Sequence, residues 1–482
     1  MGKRRLELSV VTLSVRQAPV HLNGFICSPR VNLRVDKIDN VSVELIVLIV
    51  VITALVFDFT NGFHDSANAM ATAVATGAFR PKVAVLLAAA MNLAGAFLST
   101  EVATTISSGI VDDSLVSPEA VFAALVGAIL WNLLTWLFGL PSSSSHAIFG
   151  ALIGAVLVQA GMAGVHFDTI VSKILLPALV APIVAGLASY LATKISYHGE
   201  HNAPKGARKR YRMAQRVSSL LVALAHGTSD GQKTMGIITL VLVAGTLDLG
   251  RTPWWGQAPG SSPHWWVILM AGIAISMGTY SGGWRIMRTM GKGMADIEPP
   301  QGFAAETASM SAILASSHLG FGLSTTHVVS GAVMGTGLAR TPGEVHWSTA
   351  GRMLIAWLLT LPAAGVVGAF AAWLAHMGAW GFGAVIAILV ICAVAIKILA
   401  SKNHVSSANV NDTHEVKILA KAAISPETSP IPNPFVPPLP EKLGDHPMAT
   451  TPLRLTGLKR PKTKKKPKAK KKPAPRKRGS NV

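Results

Sequence analysis

Long apolar runs dominate the chain between about residues 41 and 400, and they are continuous instead of alternating with polar positions. Continuous runs rich in Ala, Leu and Gly are typical of membrane helices and not of strands. The clearest runs are Val41–Phe57, Val83–Thr100, Ala120–Phe138, Ile170–Thr193, Trp265–Tyr280, Met353–Ala375 and Trp380–Leu399. A helix needs roughly 20 apolar residues to cross a bilayer; several runs reach that length and others fall short, as broken or re-entrant helices would. The pattern predicts an all-α polytopic membrane protein with about ten to twelve spans or half-spans.

Four polar motifs interrupt the apolar pattern, and they form two pairs. Asn61–Ala69 (NGFHDSANA) resembles His226–Lys233 (HGTSDGQK). Each is followed by a run of hydroxyl residues that ends in histidine, Ser142–His146 (SSSSH) and Ser324–His327 (STTH). Ionisable groups inside a membrane are costly and by default mark a substrate or ion pathway. We therefore expect two related halves that share one binding site.

Composition divides the chain into five regions. Residues 1–40 are polar and poorly periodic, which predicts a disordered extension. Residues 41–195 and 217–400 are the two predicted transmembrane repeats, and the basic segment 196–216 between them should be a cytoplasmic linker by the positive-inside rule. Residues 401–482 are Pro-rich and then Lys-rich, and such a segment cannot bury enough apolar surface to fold.

The net charge of +20 is concentrated in the tail. Lys459 to Arg478 carry thirteen Lys or Arg and no acid, and without them the net charge is +7. A tail of this kind binds polyanions loosely, whether nucleic acid or anionic lipid. The two cysteines, Cys27 and Cys392, lie at opposite ends of the chain and predict neither a disulfide framework nor a zinc site.

The motifs combine groups suited to cations with groups suited to anions. Asp65 and Asp230 lie next to Gly and small residues at which a helix can break, and an unwound helix exposes carbonyls that coordinate cations. The hydroxyl runs follow Gly139-Leu140-Pro141 and Gly322-Leu323 and precede apolar helices. Hydroxyls and free N–H groups at a helix start bind tetrahedral oxyanions, although a single run of this kind is also explained by ordinary helix capping.

Together, the four motifs in this order resemble the Pit-type inorganic phosphate transporters over roughly residues 41–400. The resemblance implies two inverted repeats whose motifs meet near the bilayer midplane around one phosphate, and symport with a cation. It assigns substrate binding to the hydroxyl runs and ion coupling to the carboxylate motifs and a glutamate ahead of the second run. The substrate set is Ser143, Ser144, Ser145, Ser324, Thr325 and Thr326, and the ion-coupling set is Asp65, Asn68, Asp230, His64, Lys233 and Glu306.

Four positions depart from the general family pattern. His64 and Lys233 stand where the family has Asn, Ser229 stands where Asn is usual, and Gly322 stands where Pro is frequent. A sodium site wants oxygen ligands, for which a histidine or a cationic lysine is a poor substitute. A lysine can occupy the place of a cation and a histidine can carry a proton, so these residues favour proton coupling over sodium coupling.

Several alternatives stay open at this point. A sulfate or other tetrahedral oxyanion would fit the same hydroxyls, and free phosphate is not distinguished from a metal–phosphate complex. Gly227–Gly231 matches a Gly-x-Ser-x-Gly hydrolase pattern but lacks the strand-to-helix turn of a nucleophile elbow. A scaffold acting through the basic tail leaves the motifs unexplained. We expect a multi-pass protein of the cell membrane that is not an enzyme, with no cofactor or resident metal, and a homodimer is left open.

Overall fold

The computed structural model describes residues 42–200, 207–340, 345–402 and 404–411, which all belong to one compact unit. The predicted extension 1–40 and the tail beyond residue 411 lie outside the described residues. Within them the structure is helical, with isolated bridges that pair Val111 with Val165 and Ala295 with Val345. The all-α prediction is confirmed.

Fourteen α-helices make up this unit within the described ranges. In chain order they are α1 Val43–Ala75, α2 Pro81–Gly95, α3 Glu101–Ser108, α4 Pro118–Leu137, α5 Ser144–Ala160, α6 Phe167–Ile170, α7 Leu176–Glu200, α8 Ala207–Leu249, α9 Trp265–Ser281, α10 Trp284–Arg288, α11 Pro299–His318, α12 Thr325–Arg340, α13 Trp347–Ala375 and α14 Ala379–Ser401. A π-helical turn, Val171–Leu175, joins α6 to α7, and another, Thr289–Gly293, extends α10.

Among the described residues, seven helical segments are long and apolar enough to cross a membrane, and an eighth span forms if the bent pair α9–α10 counts as one. That pair bends by 61° at its break. The shorter or more polar helices α2, α3, α11 and α12 lie between these spans in the sequence, and the total of ten to twelve spans or half-spans stays a prediction. Outer faces such as that of α7, where Ile183 is 70% exposed, are apolar and suited to lipid.

The two halves are built alike, and each signature helix packs on the other half. Gly62 of α1 faces the backbone of Ile275 in α9, and Gly227 of α8 faces the backbone of Asn92 in α2. A Cβ at Gly62 would lie 2.2 Å from the Ile275 carbonyl oxygen, and one at Gly227 would lie 2.3 Å from that of Asn92. The same two helix pairs have a second close contact one turn away, where Gly278 of α9 faces Phe59 of α1 and Gly95 of α2 faces Leu224 of α8. Glycine is required here because the helix backbones touch.

The later helices repeat this exchange. Gly150 of α5 faces Leu361 of α13, and Gly331 of α12 faces Pro182 of α7. The loop before each long helix also has the same hydrogen bond: the His166 ring lies 3.1 Å from the Gly109 carbonyl, and the His346 ring 3.1 Å from that of Gly293. These contacts of one half therefore have counterparts at matching places in the other half. The inverted orientation of the halves across the membrane stays a prediction.

The chain re-enters the core in the same way twice. Gly139 follows α4 with φ 63°, and Gly320 follows α11 with φ 68°. A positive φ is accessible to glycine without steric cost, so each helix stops there and a short loop leads to α5 or α12. Each hydroxyl run begins in one of these loops and continues into the first turn of the buried helix that follows.

The division of residues 41–400 into two repeats and a linker stays a prediction, and helices are present on both sides of its limits. Helices α7 and α8 extend into the basic segment 196–216, where they carry most of its described residues. Residues 404–411 pack on the body: the Asn409 carbonyl accepts a hydrogen bond from Arg288 at 2.7 Å, and Val410 is buried.

Candidate substrate and ion site

Both carboxylate motifs lie inside unbroken helices, Asp65 in α1 and Asp230 in α8. The sequence suggests that neighbouring glycines let these helices break, and the structure corrects this. Gly62 and Gly227 serve close helix crossings instead, which carry Asp65 and Asp230 into the core. The two aspartates are 1% and 0% exposed.

In the first half, Asp65 is held by one histidine and one hydroxyl. His64 Nδ1 lies 2.6 Å from Asp65 Oδ1, and Ser144 donates to Asp65 Oδ2 at 2.7 Å. His64 Nε2 lies 3.4 Å from the hydroxyls of Thr135 and Ser142. The ring therefore bridges the carboxylate and the first hydroxyl run, with both nitrogens in a position to exchange protons.

In the second half, Asp230 is held by two cationic or titratable side chains and one hydroxyl. Lys233, one turn further along α8, donates to Asp230 Oδ1. His226 Nε2 lies 3.2 Å from Asp230 Oδ2, and Thr325 donates to the same oxygen at 3.2 Å. His226 is oriented by Asn92, whose Oδ1 lies 3.2 Å from its other ring nitrogen.

Two side chains join the halves by reaching across to the opposite hydroxyl run. Asn68 donates to the hydroxyls of Thr325 at 3.2 Å and Thr326 at 3.0 Å. Lys233 donates to the hydroxyl of Ser145 at 2.6 Å. Asn68 and Lys233 each stand three residues after their aspartate, so they are counterparts with different charge. The structure thus brings together both carboxylates and both hydroxyl runs, as the sequence predicts.

In each hydroxyl run one residue caps the helix and the next residues contact the aspartates and the opposite half. Ser143 accepts from the His146 amide at 3.1 Å and Ser324 from the His327 amide at 3.3 Å, which is N-capping. The next residues in each run point at the aspartates and at the opposite half. The rings of His146 and His327 pack 4.8 Å apart, so the two helix starts meet where the halves join. A helix start with free N–H groups favours anions.

Glu306 is buried in a separate polar cluster. It accepts from Thr72 at 2.6 Å, Gln215 at 3.0 Å and Ser218 at 2.5 Å, and none of these belongs to the aspartate cluster. Thr72 lies one turn after Asn68 on α1, which connects the two clusters along one helix. Glu101, an acid of the first half, is exposed at the start of α3.

Several buried polar residues of this core have no role assigned from the sequence: Asp58, Asn61, Asn92, Thr135 and His226. Asp58 and Asn61 are 0% and 1% exposed and lie on α1, two turns and one turn before Asp65, respectively. A signal for Asp58 exists in the sequence. It is an acid inside a predicted membrane segment, which by default marks a functional position.

One group of side chains has the spacing of a metal site. The ligand atoms of Asp65, His226 and Asp230 all lie within 4.8 Å of one another. Every carboxylate oxygen in the set already accepts a hydrogen bond from a protein donor: those of Asp65 from His64 and Ser144, and those of Asp230 from Lys233 and Thr325. An ammonium group bonded to a carboxylate does not fit a resident divalent cation.

The hydrolase pattern has no matching geometry. Gly227–Gly231 lies inside the continuous helix α8, so there is no strand-to-helix turn, and the Ser229 hydroxyl has no hydrogen-bond partner among the described residues. An activated serine needs a base within hydrogen-bond reach. This segment therefore serves helix packing and the Asp230 cluster.

Comparison with known proteins gives the family. The model of the phosphate transporter family matches residues 61–210 and 194–368. A protein of Mycobacterium leprae described as "Probable low-affinity inorganic phosphate transporter" is 49% identical over 80% of this chain and 92% of its own length. A protein of Bacillus subtilis with the same description is 39% identical over 69% of this chain and 98% of its own.

A solved structure has the same fold. "The sodium-dependent phosphate transporter" aligns with a TM-score of 0.61 at 25% identity, covering 69% of this chain and 99% of that one. The relatives are named as transporters, which confirms that the chain is not an enzyme, and the apolar helices confirm a multi-pass membrane protein. The chain therefore belongs to the phosphate transporter family, as the resemblance of its four motifs predicts.

Proposed function

We propose that the chain is a secondary active symporter that carries inorganic phosphate together with protons. The single observation that supports this most strongly is the buried junction of the two halves. Two hydroxyl runs at helix starts, two aspartates and one lysine converge there. Such a site can bind a tetrahedral oxyanion and respond to a cation in one place.

The phosphate donors are the hydroxyls of the two runs. Ser144 and Thr325 donate to Asp65 and Asp230, and phosphate oxygens compete for the same hydrogen bonds. Lys233 adds the positive charge that an anion needs in a low-dielectric site. Phosphate beside two carboxylates raises the negative charge of the site, so binding becomes favourable when a cation arrives with it. That is the physical basis of symport.

Lys233 supports protons over sodium. Its counterpart in the first half, Asn68, offers an amide oxygen, whereas Lys233 is bonded to Asp230 and to Ser145. An ammonium group in that position takes the place of a cation ligated by the carboxylate and the hydroxyl. His64 and His226 each lie beside one aspartate and can exchange a proton with it. The solved relative is named for sodium dependence; the lysine and histidines support a different coupling ion here.

The test is uptake of radiolabelled phosphate by proteoliposomes containing the purified full-length chain. An inward proton gradient is imposed in one arm and an inward sodium gradient at constant pH in the other. We expect the proton gradient to drive accumulation and sodium to have no effect. Strict dependence on external sodium at constant pH contradicts the proposal.

The same vesicles identify the substrate. Excess unlabelled phosphate should compete with labelled phosphate, and sulfate should not. Adding and chelating Mg²⁺ then separates free phosphate from a metal–phosphate complex: uptake that stops on chelation assigns the complex as the substrate. Competition by sulfate at equal concentration would make the protein a general oxyanion permease.

Removal of residues 441–482 tests the alternative role of a scaffold acting through the tail. The motifs of the proposed site all lie before this segment, so we expect uptake close to that of the full chain. A truncated protein that inserts normally and transports nothing places an essential function in the tail.

A further inference from the structure

Among the described residues, one carboxylate of the core has neither a hydrogen bond nor a cationic side chain in contact with it. Asp58 is 0% exposed, and neither of its oxygens has a hydrogen-bond partner among the described residues. The other buried acids are compensated: Asp65 by His64, Asp230 by Lys233 and His226, and Glu306 by three neutral donors. A buried carboxylate without such partners is costly in its charged form, and a proton removes that cost.

The nearest polar neighbours of Asp58 are neutral. The amide of Asn61 and the hydroxyl of Thr234 are buried beside it as its potential hydrogen-bond donors, and neither reaches hydrogen-bond geometry with any described residue. Asn61 lies one turn after Asp58 on α1, and Thr234 follows Lys233 on α8. The three side chains form a polar group inside an apolar region, and it leads along α1 toward Asp65. Seven residues separate Asp58 from Asp65, about 10 Å along the helix axis.

The charges that act on Asp58 come from α8. Lys233 and Asp230 are the charged residues near it. Of the other helices packed on this part of α1, α9 has Tyr280 as its titratable residue, which is exposed, and α4 has Glu119 in its first turn. Asp58 is thus coupled to the substrate site through Lys233.

We propose that Asp58 is the group that carries the co-transported proton. This rests on the proposed function as a proton-coupled phosphate symporter. An O–H bond forms at one Asp58 oxygen on the side of high proton concentration, and the proton leaves to water on the other side. With Asp58 protonated, Lys233 is shared between Asp230, Ser145 and the arriving phosphate. After the proton has left, the Asp58 charge attracts the ammonium group and weakens phosphate binding. Affinity for phosphate therefore follows the proton.

The experiment compares the full-length chain with Asp58→Asn and Asp58→Glu in proteoliposomes, with Asp248→Asn, an exposed acid on α8, as the matched control. Two measurements are made: accumulation of phosphate driven by a pH gradient, and exchange of labelled for unlabelled phosphate at equal pH on both sides. We expect Asp58→Asn to keep exchange, to lose all stimulation by the gradient and to carry no protons by an internal pH dye. Asp248→Asn should behave like the unaltered chain.

Three results overturn the role of Asp58. The first is gradient-driven accumulation by Asp58→Asn equal to that of the unaltered chain. The second is loss of exchange in a folded Asp58→Asn protein, since a proton carrier leaves binding intact. The third applies if Asp58→Asn does not fold. Asp58→Glu moves the carboxyl group by one methylene and should shift the pH of half-maximal uptake. An unchanged pH of half-maximal uptake in Asp58→Glu contradicts the proposal. An unaltered chain driven by sodium and not by protons overturns the proposed function itself.

Discussion

The first and second halves of this transporter share one framework and differ in the charge that they bring to its centre. In both halves an aspartate on a buried helix accepts from a hydroxyl of its own half, and a side chain three residues later donates to the opposite half. That side chain is a neutral amide in the first half, Asn68, and an ammonium group in the second, Lys233. The histidine partners also differ, since His64 precedes Asp65 directly and His226 lies one turn before Asp230.

The difference shows that the fold fixes where the glycines, turns and helix caps lie in each half, and that it leaves the charge of the side chain at the centre free to vary. The glycine crossings, the positive-φ turns and the capped hydroxyl runs recur in both halves because backbone contact and helix capping require them. The donor that reaches across is not constrained in this way, since an amide or an amine can each bond a hydroxyl. A site that binds an anion together with a cation needs matching positions in the two halves and a positive charge in one of them. Here Lys233 provides that charge against the anion.

Removal of either aspartate charge should have the largest effect. Asp65→Asn and Asp230→Asn are each expected to abolish phosphate uptake while membrane insertion persists, because each carboxylate organises one hydroxyl run and one histidine. The measurement is uptake at equal protein content, with Asp248→Asn as the control. If one variant retains near-normal uptake, the halves do not share the site.

Loss of a single hydroxyl in each half should weaken binding by equal amounts. Ser144→Ala and Thr325→Val each remove one donor to an anion, which costs about 1.5–3 kcal/mol, roughly a ten- to hundredfold rise in half-saturation. Transport should persist at high phosphate because the helix N–H groups remain. Uptake across a wide range of phosphate checks this, with the exposed Ser311→Ala as control. Unchanged half-saturation together with a shifted pH dependence assigns the runs to the proton path instead.

The close crossings test whether the framework itself is symmetric. Gly62→Ala and Gly227→Ala place a Cβ within 2.2 and 2.3 Å of a facing carbonyl oxygen. Overpacking of this kind costs about 1–3 kcal/mol, so both variants should melt at lower temperature and accumulate in smaller amount. Gly351→Ala on α13, where a Cβ meets nothing within 4 Å, is the control. A stable variant in only one half would mean that the crossings are not equivalent.

The sequence predicts the helices and the motifs well because both depend on residues that are close together in the sequence. Apolar runs set the helices, and hydroxyl runs after a glycine predict capped helix starts. The role of the glycines at 62 and 227 is not predictable locally, because helix-breaking and helix-crossing glycines look alike until the partner helix is known. Asp58 is missed for another reason. It lies outside the repeated motifs, and its lack of a counter-charge emerges only when α1 and α8 are packed together.

Replacement of Lys233, which donates to the hydroxyl run of the first half, should have the smallest effect on the rate of uptake and the largest effect on which ion drives it. Lys233→Asn gives the second half the side chain that Asn68 provides in the first, and Asp230 keeps His226 and Thr325 as partners. We expect uptake at high phosphate to fall by less than about tenfold, which corresponds to about 1.4 kcal/mol. An amide oxygen and a hydroxyl then face Asp230 where the ammonium group was, and sodium prefers such ligands.

The Lys233→Asn variant should therefore gain stimulation by sodium and lose part of its response to a proton gradient. Lys209→Asn, at an exposed position on the same helix, should do neither. Uptake by Lys233→Asn that stays indifferent to sodium would mean that the lysine does not set the choice of ion, and that the unequal charge of the halves serves phosphate binding alone.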